Sequence, residues 1–475
     1  MTIKNNAIAA VAISASLIMT GCHQSSNSES TLIQSTEVLE ITDAALEDIV
    51  RHSYQYVAMY NVNNKFALAQ GGWNTVHADT QLKDHTLTDI ARPNNDTLYV
   101  FSLLDLRDDA VIIDVPAFDS SYASLMVTGY DHYVTVPISV TKNDFQVPEK
   151  VLFYTERTSG YSGEPVEGID RSIKVDGDFV SAAFRVMPHA NEPEKFTEIA
   201  EQMQGIAVVT LNEYQGKPAK PVDRTPLPAV GRTDSDIYAN NFLEVMQFVL
   251  NHTTFDTNDP LDQAYLTAMK KLGLQPGKAF DQEKSIAVDG ERFRAVADKV
   301  RMDMFARTQD PVFTAKHGLD LFKTKGEIDL HLLVLQSVIG PVGLPASEAV
   351  YPPVVSADGE PLNAQHDYVI KMSKDELPPA KAFWSVTLYD SENGFFIPND
   401  HMKYSVGENA GMVLNAEGGI DIHISAEKPA DVPAENWLPI NRQDERLDII
   451  MRIYDPELEA YKEYSVPNAE RVTAS

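Results

Sequence analysis

The stretch SLMVTGYDHYVTVPISV, residues 124–140, decides how this chain is read. Apolar and β-branched residues fill both halves, and Gly129 punctuates the middle. Such residues suit a pleated backbone, and glycine suits a reversal, so two short strands around a turn are expected. The pattern extends outward from there. Val111 to Val115 reads as a strand closed by Pro116, and Val151 to Thr155, Phe179 to Met187 and Ile206 to Leu211 follow. Val175-Asp176-Gly177-Asp178-Phe179 reads as a hairpin with Asp-Gly as its turn. Short strands from about Arg92 to Leu211, separated by Gly, Pro and Asp, predict a sandwich.

The β pattern returns from about Val350. Phe383 to Tyr389 and Leu447 to Tyr454 read as strands, and Asn393-Gly394 reads as a turn. Ile420, Ile422 and Ile424 alternate with Asp421 and His423, which fits a half-buried strand. Val127-Thr128-Gly129-Tyr130-Asp131 is echoed by Val386-Thr387-Leu388-Tyr389-Asp390 as V-T-x-Y-D. The echo predicts two related β domains joined through a helical insert. Helical stripes occupy the space between them. Tyr238, Phe242, Val245 and Val249 form one; Leu261, Ala264, Tyr265, Ala268, Met269 and Leu272 form another, ended by Gly273; Phe293, Val296, Ala297 and Val300 form a third. An earlier helix is expected from Asp43, capped by Thr42, to about Tyr60. The expected organisation is thus 1–22 export signal, 23–40 tether, 41–216 helix plus first sandwich, 217–345 linker and helical block, and 346–475 second sandwich.

The formal net charge is -30, from 69 acidic and 39 basic residues, spread along the chain. Such a surface repels phosphate backbones and anionic headgroups, which excludes nucleic acid as an expected partner. One cysteine, Cys22, rules out a disulfide framework and a Cys-based zinc site. Lys4 precedes an apolar run of about 13 residues, Ala7 to Met19. That length suits a signal segment and is short of the roughly 20 residues of a membrane span. Leu17-Ile18-Met19-Thr20-Gly21-Cys22 resembles a lipobox, whose cysteine becomes an acylated N-terminus. Membrane attachment is therefore expected through lipid at Cys22. His23 rather than Asp follows, which by the sorting habit of enterobacterial lipoproteins implies the outer membrane. Gln24 to Ser35 reads as a flexible tether.

No G-x-S-x-G, H-E-x-x-H or phosphate loop is present, and no metal or cofactor is expected. The densest polar cluster is Arg92-Pro93-Asn94-Asn95-Asp96-Thr97-Leu98-Tyr99. Its amides, carboxylate and guanidinium suit a polyhydroxylated or anionic ligand, although a self-satisfied loop would look the same. Asp131 and His132, in Tyr130-Asp131-His132-Tyr133, are the acid/base candidates. Neighbours on a strand point to opposite faces, which counts against a direct dyad. Trp384 and the aromatic residues near it suit either a stacking platform or a sandwich core.

The segment 92–99, with Asp105-Leu106 and Val111 to Pro116, resembles the N-terminal domain-of-unknown-function family 1254. Pro378 to Asp390, with Tyr404-Ser405 and Asn436-Trp437-Leu438-Pro439, resembles the C-terminal family 1214. The two families occur together, and the resemblance covers most of the chain after residue 45. It implies two jelly-roll-like antiparallel β-sandwiches with helices between them, a mainly β chain with a helical insert. It implies no reaction and assigns no catalytic residue. Val100-Phe101-Ser102 departs from the small polar residues expected after Tyr99. The expectation is an envelope lipoprotein binding a small polar or glycan-like ligand through Arg92, Asn94, Asn95, Asp96, Tyr99, Tyr130 and Trp384. Two alternatives are a hydrolase or lyase acting on a polymer through His132 and Asp131, and an assembly module forming homo-oligomers through its jelly rolls.

Overall fold

The computed structural model describes residues 41–472, apart from 89–91, 221–225, 287, 309 and 341. The export segment, Cys22 and the tether lie outside the described residues, as do residues 221–225 of the linker.

Helix α1 (Asp43–Ala69) starts where expected, with the Thr42 side chain accepting from the Ala45 N–H at 3.3 Å. It runs past Tyr60 because the next turns bury amides rather than apolar groups, which hides the stripe. Asn61 Nδ2 donates to Asp234 Oδ1 at 2.8 Å, and Asn64 Nδ2 donates to the Tyr60 carbonyl at 2.8 Å. Helices α2 (Pro193–Gln204) and α3 (Leu211–Tyr214) belong to the first β region. The block α4 (Asp234–Asn240), α5 (Phe242–His252), α6 (Pro260–Lys271), α7 (Gly290–Arg307), α8 (Pro311–His317) and α9 (Leu330–Ile339) follows. Side chains of α1, α4, α5, α6, α7 and α9 form one apolar core, so α1 packs with the block rather than inside the first sandwich.

The first sandwich has two sheets. One contains β1 (Thr75–Asp79), β2 (Leu98–Asp105), β8 (Phe179–Val186), β4 (Ala123–Thr128) and β5 (Val134–Ser139), in that order. The other orders β7 (Arg171–Lys174), β6 (Glu149–Tyr154), β3 (Val111–Val115) and β9 (Ala207–Thr210). Alternate residues such as Leu98, Val100, Leu125, Val127, Val180, Ala182 and Phe184 meet Val111, Ile113, Val151 and Phe153 between the sheets. The expected Asp176-Gly177 hairpin is not formed: β7 and β8 lie in different sheets, and the segment crosses from one to the other.

The second sandwich follows the same plan. One sheet orders β10 (Ala349–Val350), β17 (Leu447–Pro456), β13 (Ala380–Asp390) and β14 (Ser405–Gly407), with β11 (Pro353–Val354) also on β17. The other orders β16 (Trp437–Pro439), β15 (Ile420–Ser425), β12 (Tyr368–Met372) and β18 (Ala469–Arg471). Helix α10 (Leu458–Glu463) joins β17 to β18 as α2 joins β8 to β9. Read in chain order, β2-β8-β4-β5 corresponds to β10-β17-β13-β14, and β7-β6-β3-β9 corresponds to β16-β15-β12-β18. Both sandwiches carry one parallel pair, β6 with β7 and β15 with β16, inside otherwise antiparallel sheets. The V-T-x-Y-D echo begins on the corresponding strands β4 and β13.

The outer faces of β4, β8, β13 and β17 are largely buried as well. Around Tyr122, Met126, Met187, Ala349, Phe383 and Tyr454 the two sandwiches pack against each other. Phe179, farther along β8, packs instead into the helical core. The second sandwich and the helical block thus share one face of the first sandwich.

Candidate functional site

The layer between the sandwiches is polar where apolar packing would be the ordinary outcome, and the strand registers explain how. Arg185 on β8 pairs with Tyr99 on β2 and with Ser124 on β4, so Tyr99, Arg185 and Ser124 form one cross-strand row. Arg452 on β17 pairs with Ser385 on β13. Val350 pairs with Ile453, and continuing that antiparallel register by one residue places Tyr351 opposite Arg452. Each sandwich therefore presents a Tyr–Arg–Ser row on the face turned toward the other. The strands carrying the arginines, FVSAAFRV at 179–186 and LDIIMRIY at 447–454, are otherwise strongly apolar. A single arginine inside such a strand was the signal that sequence reasoning passed over.

Segment 92–97 is wedged against the second row. The Arg92 guanidinium pairs with Asp448, its N–H donates to the Gly394 carbonyl at 2.6 Å, and its φ is 52°. Tyr389 donates its hydroxyl to the Pro93 carbonyl at 2.6 Å. Asn94 Nδ2 lies 3.0 Å from Thr97 Oγ1, 3.1 Å from the Tyr99 hydroxyl and 2.9 Å from the Tyr454 hydroxyl, bridging the two sandwiches. Asp96 is fully buried and accepts from Ser385 Oγ at 2.5 Å through Oδ2. Burial raises its pKa, against the lowering pull of Arg452 and the Ser385 bond.

The arginines differ in what surrounds them. Arg452, 5% exposed, donates to Thr387 Oγ1 at 2.8 Å and to the Tyr389 hydroxyl at 2.6 Å. Burial works against its charge, but Tyr389 and Asp96 more than compensate and raise its pKa. Arg185, 4% exposed, donates through Nη2 to the Val342 carbonyl and lies over the Tyr99 ring, 5.5 Å from its centroid. Its Nη1 makes no hydrogen bond of ordinary length, and neither do Ser124 Oγ, Asn95 Oδ1 and Asp96 Oδ1, although Arg185 stands near the Tyr99 hydroxyl, Ser124 near that of Tyr122 and Asp96 near Ser405. Among the described residues no carboxylate stands within ion-pair distance of either arginine. Tyr351 marks the edge of the layer. It is 42% exposed, yet burial pushes its hydroxyl up to about 12, partly offset by Arg185. The ring thus faces solvent while the hydroxyl points inward. At the opposite edge of that sheet, just past β14, burial pushes Glu408 up to about 7, although its Oε2 accepts the Trp384 N–H at 2.8 Å.

The expected site residues divide. Arg92, Asn94, Asp96 and Tyr99 come together at this layer, and Asn95, between them in sequence, keeps its Oδ1 buried. Tyr130 does not: it is buried in the helical core against Tyr60, Phe179 and Phe248, and its hydroxyl receives Asn64 Nδ2 at 3.1 Å. Trp384 does not either, because β13 turns its ring into the core of the second sandwich. Asp131 and His132 lie in the turn between β4 and β5 rather than on a strand, and they serve different partners. Asp131 is pushed up to about 7 by burial and faces Lys325 at 4.0 Å, while His132 Nδ1 meets Ser337 Oγ at 2.7 Å. Both are buried, and these partners lie on different segments.

A serine–histidine–glutamate arrangement that sequence reasoning missed occurs at the β8 end of the sandwich. Ser121 Oγ lies 3.2 Å from His189 Nε2, and His189 Nδ1 lies 3.4 Å from Glu192. The Ser121 N–H is directed at the same Nε2 and the Tyr122 N–H at Ser120 Oγ, so neither amide is free to receive an oxyanion. A surface cleft of about 620 Å³ lies at Arg51, Arg307 and His331, and one of about 230 Å³ lies at Asn363, His366 and Arg471. Neither includes a residue of the layer. Among the described residues, no acidic, histidine or cysteine group is placed to hold a metal, and no helix is long and apolar enough to cross a membrane.

Two stacked β-sandwiches with a charged layer between them define the class of molecule. Residues 73–210 match the family model DUF1254 and residues 348–458 match DUF1214, each described as a protein of unknown function, so the chain carries this pair of domains. A protein from Vibrio parahaemolyticus of known crystal structure shares the fold, with a TM-score of 0.68 and 24% identity over 91% of this chain and all of that one. An uncharacterised protein from Burkholderia cenocepacia aligns over 90% of this chain and 93% of its own, with 13% identity and a TM-score of 0.42. No curated protein matches the chain.

Proposed function

We propose that this chain is a binding protein of the cell envelope that takes a small polar, glycan-like ligand in the layer between its sandwiches. One observation carries the reading. In or beside the layer, Asp96 Oδ1, Asn95 Oδ1, Ser124 Oγ and Arg185 Nη1 are buried and make no hydrogen bond of ordinary length. A buried polar atom without a partner costs about 1–3 kcal/mol, and a ligand with donors and acceptors of its own would satisfy this set. Vicinal hydroxyls both donate and accept, which suits this mixed set. Tyr351 lies where a ligand would enter.

The lipobox at Cys22 supports placement in the envelope, on the outer membrane by the residue that follows it. Fractionation of cells expressing Cys22→Ser tests this part: the expected result is release from the membrane fraction, and retention contradicts it.

The binding reading is tested by calorimetric titration of the full-length chain with a panel of monosaccharides and polyols, alongside Asn94→Ala and Asp96→Asn. At least one member of the panel should bind, and each substitution should weaken it tenfold or more while circular dichroism stays native. Binding that neither substitution alters would overturn the assignment to this layer.

A further inference from the structure

The two rows correspond strand for strand, but they are not equally satisfied. In the second, Ser385 donates to the Asp96 carboxylate, and Arg452 is electrostatically coupled to the same group. In the first, Ser124 Oγ and Arg185 Nη1 make no hydrogen bond of ordinary length, and only the Tyr122 and Tyr99 hydroxyls stand near them. A guanidinium buried this deeply costs several kcal/mol unless an anion answers it, and what surrounds Arg185 is the ring of Tyr99 and tyrosine hydroxyls. The chain as a whole is strongly acidic, yet among the described residues none of the carboxylates around the layer pairs with Arg185: Asp96 takes Ser385, Glu348 takes Lys142 and the Tyr122 hydroxyl, and Glu408 takes the Trp384 N–H. Resting on the binding reading above, we propose that the ligand carries a carboxylate, which accepts from Ser124 as Asp96 accepts from Ser385 and answers Arg185 as Asp96, from farther off, answers Arg452.

A planar carboxylate matches the guanidinium fork and can accept the serine proton as well. The rest of the ligand then lies toward Asn94, Asn95 and the free oxygen of Asp96, where hydroxyls are wanted. The chemical class is a polyhydroxylated acid of sugar-acid size.

The test compares sodium D-glucuronate, its neutral methyl ester and sodium acetate, titrated into the full-length chain. Glucuronate should bind at least tenfold tighter than the ester, and acetate should compete with it. Arg185→Met should remove the difference between acid and ester. Its melting temperature without ligand should equal or exceed that of the parent chain, which shows that any loss of binding is not unfolding. Equal binding of acid and ester, unchanged by Arg185→Met, would overturn the carboxylate while leaving the polar-ligand reading in place. No response to glucuronate or acetate, with a neutral sugar from the wider panel bound, would have the same meaning. Failure of the whole panel and of all three probes would end both.

Discussion

Glu408 shows how the layer acts on a single group. Burial raises its folded-state pKa to about 7, against about 4.3 for an ordinary glutamate. The folded chain therefore holds this proton where the unfolded chain has lost it. The stability gained is complete below about pH 4 and disappears as pH rises through about 7. Glu408→Gln keeps an oxygen for the Trp384 N–H but removes the titration. Urea unfolding should show no difference at low pH and roughly 2 kcal/mol in favour of the variant at pH 8, discounted for partial exposure; equal curves across the range would contradict it. The two arginines should behave oppositely. Arg452→Met strands Thr387, Tyr389 and Asp96 and should cost about 3 kcal/mol in the same measurement. Arg185→Met strands little and should cost close to nothing. Individual residues were the hardest scale to read from sequence. The cluster 92–99 stood out because its polar residues are contiguous. Arg185 and Arg452 did not, because their partners come from register and from the other sandwich. Trp384 and Tyr130 were misplaced because an aromatic residue beside a polar motif looks the same whether its strand or turn directs it into a core or a cleft.

Elements were more legible where a face is simple. Val111–Val115 ends at Pro116 as expected, β15 alternates as its isoleucines indicate, and Thr42 caps α1. The failures have physical causes. α1 outruns its apolar stripe because buried asparagines carry it onward, and the Asp176-Gly177 turn sits on a crossover because turn chemistry fixes a reversal but not the sheet that receives the next strand. Close packing of strands also places a demand on Gly407. It pairs with Ser385, and a Cβ there would fall 2.4 Å from the Trp384 carbonyl oxygen and 2.8 Å from the Ser385 Cα. Its φ of 169° is ordinary extended backbone, so the constraint is space alone. Gly407→Ala should destabilise by about 1–3 kcal/mol and displace Ser385 from Asp96. A thermal unfolding curve matching the parent would show that β14 can move aside freely.

At the scale of the whole molecule, the five-residue echo pointed to two related domains, and both sandwiches share one strand order, including their single parallel pairs. That pairing was visible in sequence; the layer it creates was not, since nothing in either half states which face meets the other. Placing corresponding faces together opposes two Tyr–Arg–Ser rows, and the segment 92–97 answers one of them. The account rests on the other row being completed from outside the chain. A crystal structure of the full-length protein with D-glucuronate measures this directly. Ligand density is expected in the layer, with a carboxylate within hydrogen-bonding distance of Arg185 Nη1 and Ser124 Oγ. A layer closed by protein groups alone, with Arg185 Nη1 bonded to one of them at saturating ligand, would contradict it.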